Sequence, residues 1–180
     1  MLGGPGAGKG TQAEQLCRTL QIPCISTGEM LRDAIAAQTN LGKQVQAQVE
    51  SGDLVSDDAM IQFIRDRLSQ PTVTRGWLLD GYPRTAFQAE ELDFLLNTLE
   101  QQLDKAILLD VPDAVLIERS LSRGRIDDTL ETIQRRIALF RERTSLLEDY
   151  YEFCDRLLRI NGNQSVELVH QEILQTLGNQ

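Results

Sequence analysis

The chain holds one histidine, His170. Zinc-binding His pairs are therefore excluded, and a Ser-His-Asp triad would have to be built around that single residue. His170 falls in a helical pattern near the C-terminus and reads as structural. Cysteines number three, Cys17, Cys24 and Cys154. They are odd in number and lack zinc-ligand spacing, so no zinc is expected, and they read as buried small hydrophobes in a reducing compartment. No apolar run approaches the roughly 18 residues of a membrane span, and no secretory leader is visible. A cytoplasmic protein without a membrane partner is the expectation. Aromatics make up 5% and prolines number 5, which argues against a fibrous or Pro-rich chain. Basic residues are in deficit: Lys and Arg total 18 against 27 Asp and Glu, for a net charge of −9. That balance argues against a non-specific nucleic-acid binder. Lysine itself is scarce, at Lys9, Lys43 and Lys105 only. The remaining basic residues are arginines, whose planar fork suits phosphate and carboxylate. Ordinary surface use of Arg accounts for part of that excess.

What is present is a globular chain of 180 residues, 41% hydrophobic and 25% charged. That length suggests one domain, residues 1–180, with room for small inserted lobes. Continuous apolar runs at 22–26, 77–80, 106–111 and 157–160 read as strands buried on both faces of a parallel sheet. Helical patterns lie between them. Ala13, Leu16, Cys17 and Leu20 share one face. Ser26-x-x-Glu29 is a capping box that opens a second helix. Leu41, Val45 and Val49 suggest a third, stopped by Gly52. Ser56 with Asp57 and Asp58 starts a fourth. Thr85-x-x-Gln88 caps another, and further helices follow Pro112, lead to Ile133 and Ile137, and begin near Ser165. The alternation predicts an α/β fold with a doubly wound parallel sheet. Residues 26–55 hold two helices with no strand between them, as a small inserted lobe would.

The strongest signal is Gly3-Gly4-Pro5-Gly6-Ala7-Gly8-Lys9-Gly10-Thr11, which has P-loop spacing. The glycines let backbone N–H groups turn toward phosphate oxygens, and the following helix presents its positive end. Lys9 can reach the β- and γ-phosphates. Gly10 stands directly after the lysine, so the hydroxyl comes one residue late, at Thr11, a candidate for the Mg²⁺ side. A P-loop should follow a buried central strand, yet only Met1 and Leu2 precede Gly3, so the first strand is expected to be largely absent. The GxGxxG fingerprint of dinucleotide folds and the DxxG and NKxD motifs of switch GTPases are missing.

Asp80-Gly81-Tyr82-Pro83-Arg84-Thr85-x-x-Gln88 follows an apolar strand, at the sheet end where ligands bind. Asp80 can orient water on Mg²⁺, or be a solvated loop carboxylate. Pro83 after Tyr82 suits a cis peptide. Arg84 reads as a phosphate ligand, with a plain surface Arg as the alternative. Gln88 can read adenine through its amide, but it is also the third residue of a capping box.

Together with Ser26-Thr27-Gly28-Glu29-Met30-Leu31-Arg32, Leu54-Val55-Ser56-Asp57 and Arg123-Gly124-Arg125-x-Asp127-Asp128, these motifs occur in order along nearly the whole chain. In combination they are highly specific, and they resemble the adenylate kinase family in its short-lid form. The resemblance implies a P-loop NTPase core with a nucleoside-monophosphate lobe at 26–55 and a short lid at 122–132. It implies the reaction MgATP + AMP ⇌ 2 ADP, with ATP, AMP and ADP as partners, by a monomer. Gly6, Ala7, Gly8, Lys9, Gly10 and Thr11 would then bind ATP phosphates. Thr27, Arg32, Asp53, Leu54, Val55, Gly81, Tyr82, Pro83, Arg84 and Gln88 would bind AMP. Arg123 would bind ATP, and Arg125 and Arg136 would bridge to AMP and the transferring phosphoryl. Gln164 would meet the ATP adenine through its backbone. The family spacing selects Arg136 over its neighbour Arg135. Only four residues separate Arg123 from Asp128, a trimmed lid without a Cys₄ site. UMP/CMP kinases share most of these motifs, but tend to have Ala and Asn where this chain has Thr27 and Gln88. A nucleotide-binding module lacking its first strand, and inactive, is the remaining alternative.

Overall fold

A computed structural model describes residues 1–40, 42–43, 45–46, 55–124 and 128–178. Helix α1 (Lys9–Leu20) leads to strand β1 (Cys24–Ser26) and α2 (Thr27–Ala36). Next come α3 (Asp57–Leu68), a 3₁₀ turn at Pro71–Val73, β2 (Leu78–Asp80) and α4 (Ala86–Thr98). Strand β3 (Ala106–Asp110), α5 (Asp113–Ser122), α6 (Leu130–Phe153), β4 (Leu157–Asn161) and α7 (Val166–Gly178) complete the chain. The expected apolar runs are all strands. The third helix, expected on Leu41, Val45 and Val49, falls largely outside the described residues, as do Asp53, Leu54, Arg125 and Asp127.

Local chemistry sets the helix starts. The Ser26 hydroxyl accepts from Glu29 N–H at 3.4 Å, and the Thr85 hydroxyl from Gln88 N–H at 3.2 Å. Thr129 does the same for Thr132, at 3.2 Å, at the head of the 24-residue α6. Such caps each contribute about 1 kcal/mol.

Strands β1 and β2 pair in parallel, as do β3 and β4. Residues Met1 and Leu2 join the two pairs. Leu2 N–H donates to Ile107 O at 2.7 Å, Leu109 N–H donates to Leu2 O at 3.0 Å, and the Met1 nitrogen donates to Leu79 O at 2.7 Å. The order across the molecule is therefore β1, β2, Met1–Leu2, β3, β4, with the segment before the P-loop in the middle. Both faces are covered, which explains the continuous apolar runs. Ile107 and Leu109 point into the core built with α1, α5, α6 and α7, whereas Ala106 and Leu108 point the other way, toward Ala89, Leu147 and Tyr151. A separate core under α2, α3 and α4 takes Ile25, Leu79 and Tyr82.

Two residues span only the carboxyl ends of β2 and β3. Below them lies a cavity of about 200 Å³, between Trp77, Leu78 and Leu79 on one side and Leu103, Ala106 and Ile107 on the other. Four apolar residues placed ahead of Met1 would run into it. Filling such a space returns stability in proportion to its volume, at most roughly 24 cal/mol per Å³. The extended chain is expected to melt several degrees higher, as measured by scanning calorimetry; an unchanged midpoint would show that the cavity does not accept a strand.

Candidate active site

The loop from Gly3 to Gly8 carries the chain from Leu2 into α1. Gly6 has φ 80°, and a Cβ there would stand 2.6 Å from Leu116 O and 2.7 Å from the Ser120 hydroxyl. Only glycine fits. Gly8 is the N-cap of α1 and is left-handed, with φ 94°, and no side chain caps the helix. The first N–H groups of α1 thus face an anion site, as at other phosphate-binding helix starts. Lys9 Nζ donates to Gly3 O at 2.7 Å and Gly4 O at 2.9 Å, which curls the ammonium over the loop. Ala7 is buried, while Gly10 and Thr11 are exposed on the first turn.

Asp80 ends β2 beside this helix start. A Cβ on Gly10 would lie 3.9 Å from its Oδ2. The other oxygen, Oδ1, is buried and accepts no hydrogen bond within the described protein. An orphaned buried carboxylate oxygen next to a phosphate loop fits a divalent cation held through water. Among the described residues no group of three or more His, Cys, Asp or Glu is placed to hold a metal ion. Magnesium suits such a site, because it takes most of its ligands from water and substrate phosphates. Thr11 lies within the same turn as the lysine.

The second arm of the site starts at Thr27, which is 2% exposed and donates its hydroxyl to Asp80 O at 3.2 Å. Gly81, with φ 88°, leaves room for that hydroxyl: a Cβ would come within 2.7 Å of it. Arg32 folds its guanidinium back over Gly28, where a Cβ would meet it at 3.3 Å. Val55 is buried. The Tyr82–Pro83 peptide is cis, as the aromatic-Pro pair suggests. The Tyr82 ring sits in the core, its hydroxyl donating to Gln88 O at 3.3 Å, so what Tyr82 offers a ligand is main chain.

Gln88 is 2% exposed, and its amide already has work. Its Oε1 accepts from Arg84 N–H at 2.7 Å and its Nε2 donates to Asp57 at 2.6 Å. The box closes one residue early, onto Arg84 rather than onto the cap residue Thr85. One N–H and one lone pair of the amide remain beyond these two bonds.

Arg84 stands in the cleft between the two arms. Its Nε–H donates to Gly81 O at 2.7 Å. Water reaches the side chain, but protein crowds it. Desolvation pulls its pKa below the ordinary arginine value; Asp80 opposes this, while Arg136 and Arg143 add to it. Three guanidinium groups gathered around one cleft are poised for a polyanion.

The lid side is organised by Asp128, whose side chain is 1% exposed. Arg123 grips it through Nε at 3.0 Å and through Nη2 at 2.9 and 3.1 Å, and Arg136 reaches it at 3.3 Å. One buried carboxylate thus aims two arginines. Arg136 is half-buried and Arg135, one residue earlier on α6, is exposed. Arg136 is thus on the face of α6 that turns toward Asp128. Gln164 lies in the loop after β4, with its side chain tied to Asn161 O at 3.0 Å and to Glu172 at 2.6 Å. Beside it, Arg119 Nη1 donates to Gly162 O at 2.9 Å.

Sequence reasoning missed Arg119, Arg143 and the anchoring roles of Asp57 and Asp128. Arg119 is one turn before Arg123 and Arg143 two turns after Arg136, so helical periodicity was the available signal. Of the cysteines, Cys17 is buried as expected; Cys24 is exposed instead, at the start of β1, which among the described residues pairs only with β2, and Cys154 is half-buried at the end of α6. His170 Nε2 lies 3.3 Å from the Thr19 hydroxyl, away from the site. No described helix is long and apolar enough to cross a membrane.

Known proteins are similar to this chain along its length. The family model described as adenylate kinase matches residues 1–155. A protein of Nostoc sp. named adenylate kinase 2 is 54% identical over 177 residues, covering 98% of this chain and 96% of its own. One of Synechocystis sp., also named adenylate kinase 2, is 50% identical over 98% of both chains. An adenylate kinase of Stenotrophomonas maltophilia is 43% identical over 97% of this chain and 95% of its own. With a family match over most of its length and relatives this similar end to end, the chain belongs to the adenylate kinase family.

Proposed function

We propose that the chain catalyses MgATP + AMP ⇌ 2 ADP, on a site formed by residues 26–55 on the AMP side and 122–132 over ATP. The observation that carries this is Arg84, set between a P-loop and the Thr27–Gly81 arm with Arg136 and Arg143 beside it. A phosphoryl group passing from one nucleotide to the other would cross that point.

In the reaction, an oxygen of the AMP phosphate forms a bond to the γ-phosphorus of ATP as the bond to the β-γ bridging oxygen breaks. The negative charge spreads over the three equatorial oxygens of the transferring group, so positioning and charge stabilisation dominate and no protein nucleophile is required. Gly6 to Thr11 hold the ATP phosphates with backbone N–H groups, and Lys9 exchanges its two carbonyl acceptors for phosphate oxygens. Arg84, Arg123 and Arg136 surround the transferring group, and the family resemblance extends that role to Arg125. Val55 lines the AMP side with Thr27 and Arg32, and the family resemblance assigns Asp53 and Leu54 to AMP as well. Arg119 and the Gln164 backbone flank the ATP base. Asp80, and Thr11 on the helix, would hold Mg²⁺ through water, and the ion supplies neutralisation of β- and γ-phosphate charge. Closure of both lobes excludes water, which would otherwise hydrolyse ATP. Monomeric function in the cytoplasm, without a nucleic-acid or membrane partner, fits a net charge of −9 with Arg84, Arg136 and Arg143 near one cleft.

ADP formation from MgATP with AMP, UMP or CMP as acceptor tests the assignment. Turnover with AMP far above the pyrimidine nucleotides is the expected result; preference for UMP or CMP, or no turnover with any acceptor, would remove it. Base choice is assigned to Gln88, through its remaining donor and lone pair. Gln88→Ala is expected to lower the ratio of kcat/KM for AMP over CMP by about tenfold or more, since a polar site rejects a mismatched base by leaving buried groups unpaired. A ratio equal to that of the parent would return Gln88 to its capping role.

A further inference from the structure

Gln88 stands in the first turn of α4 and is 2% exposed. Four groups pin it. Its N–H donates to the Thr85 hydroxyl at 3.2 Å, and its C=O accepts from the Tyr82 hydroxyl at 3.3 Å. Its Oε1 accepts from Arg84 N–H at 2.7 Å, and its Nε2 donates to Asp57 Oδ1 at 2.6 Å. The first three bonds are local. The fourth reaches the half-buried first residue of α3, 31 positions away. A backbone N–H can only donate and a carboxylate can only accept. The two ends of the amide therefore cannot be exchanged. Turned over, Nε2 would face the Arg84 N–H and Oε1 would face the Asp57 carboxylate. One lone pair and one N–H remain for a ligand, in a fixed order.

We propose, on the reading that Gln88 selects the base, that Asp57 is a positioning residue for that selection: it holds the Gln88 amide in the one orientation that accepts a 6-amino purine and rejects a 6-oxo purine. A base that matches the pinned amide offers an amino N–H to Oε1 and a ring-nitrogen lone pair to Nε2, as an edge of adenine does. A 6-oxo purine has the same size, but it brings an oxygen where the amino group stands and meets Oε1 oxygen to oxygen. Only a turned amide would suit it. Arg84 N–H opposes that turn from one end and Asp57 opposes it from the other. Without Asp57, one of the two restraints is gone.

Asp57 also has a local reason to stand where it does. A carboxylate in the first turn of a helix interacts favourably with its positive end, and Asp58 beside it does the same for α3. The two roles differ in what they need. The helix end needs the negative charge, whereas the Gln88 amide needs an acceptor oxygen at the right distance.

The test is calorimetric titration of the full chain with AMP and with IMP, for the parent and four variants. The parent should bind AMP well above IMP. Asp57→Ala should lower that preference about tenfold, the weight of one hydrogen bond to a charged group. Asp57→Asn has no charge but keeps an oxygen that can accept from Nε2, and it should retain most of the preference. Gln88→Ala and the double variant Gln88→Ala/Asp57→Ala should show equal preferences, because Asp57 acts through Gln88. Should Asp57→Ala fail to fold, Asp57→Ser, whose hydroxyl is one bond shorter, replaces it. AMP and IMP weakened alike by Asp57→Ala, Asp57→Asn as poor as Asp57→Ala, or a further loss in the double variant would each overturn the role of Asp57. Binding needs no turnover, so the two readings fail separately. A parent that prefers AMP yet forms no ADP would remove the proposed reaction, and the binding ratios would still decide Asp57. A parent that binds AMP and IMP alike would remove Gln88 as the reader and Asp57 with it.

Discussion

Arg84→Ala is expected to lower turnover by roughly 10³–10⁵ while the protein melts as before. The two halves of that expectation have separate grounds. The kinetic loss follows from position. In the proposed reaction Arg84 stands where charge develops in the transition state, and an arginine fixed there would need no reorganisation at the moment of reaction. The stability follows from what the side chain does in the empty protein. Its hydrogen bond is to Gly81 O, in a cleft that water enters, so water can replace it. Its removal also relieves repulsion with Arg136 and Arg143. The effect on stability should stay within about ±0.5 kcal/mol, or be slightly favourable. Steady-state ADP formation beside calorimetry checks both. A variant that melts normally and turns over within tenfold of the parent would remove Arg84 from the reaction.

The second large effect separates two adjacent arginines. Arg136→Ala should cost roughly 10²–10³ in turnover, the loss typical of one preorganised charge donor. Arg135→Ala should stay within a few-fold. Arg136 faces Asp128 at 3.3 Å and lies near Arg84, whereas Arg135 points outward. The fold should survive Arg136→Ala, because Arg123 still pairs with the buried Asp128 carboxylate at 2.9 Å. Without that second partner the change would leave a buried charge alone, at a cost of several kcal/mol. Equal losses in the two variants would mean that the lid is aimed by net charge rather than by the Asp128 anchor.

Both predictions rest on residues that stand out within their local sequence. The P-loop, the Asp80–Gln88 run and the Arg123–Asp128 run are each legible as short motifs. Local constraints explain much of this: Gly6 tolerates no Cβ, the Tyr82–Pro83 peptide is cis, and Ser26 and Thr85 cap helices through a bond three residues long. The strands were legible for a different reason. Sandwiched between helices, β3 buries alternate residues in two different cores, so no polar alternation remains to confuse the reading. Cys24 misled, because among the described residues its strand pairs on one side only, and that is a fact about neighbours far along the chain.

Gln88 shows how one residue can carry two signals. Its capping role is local, and it is present: its own N–H is held by Thr85. The bond from its amide to Asp57 spans 31 positions and could not be read from spacing. Met1 and Leu2 make the same point about the sheet. A pair of residues carries no periodicity, yet their three backbone bonds to Leu79, Ile107 and Leu109 join strands from opposite halves of the chain.

Residue order alone was enough for the class of fold, the phosphate loop, the helix starts and the family, because each depends on residue types within about ten positions of one another. It took the packed molecule to show that Asp128 aims Arg123 and Arg136, that Arg143 joins Arg84, and that Arg119 lies beside Gly162. Most of those are meetings of groups from separate elements. They are set by how helices pack across a twisted parallel sheet, where the direction of a side chain depends on the whole core beneath it.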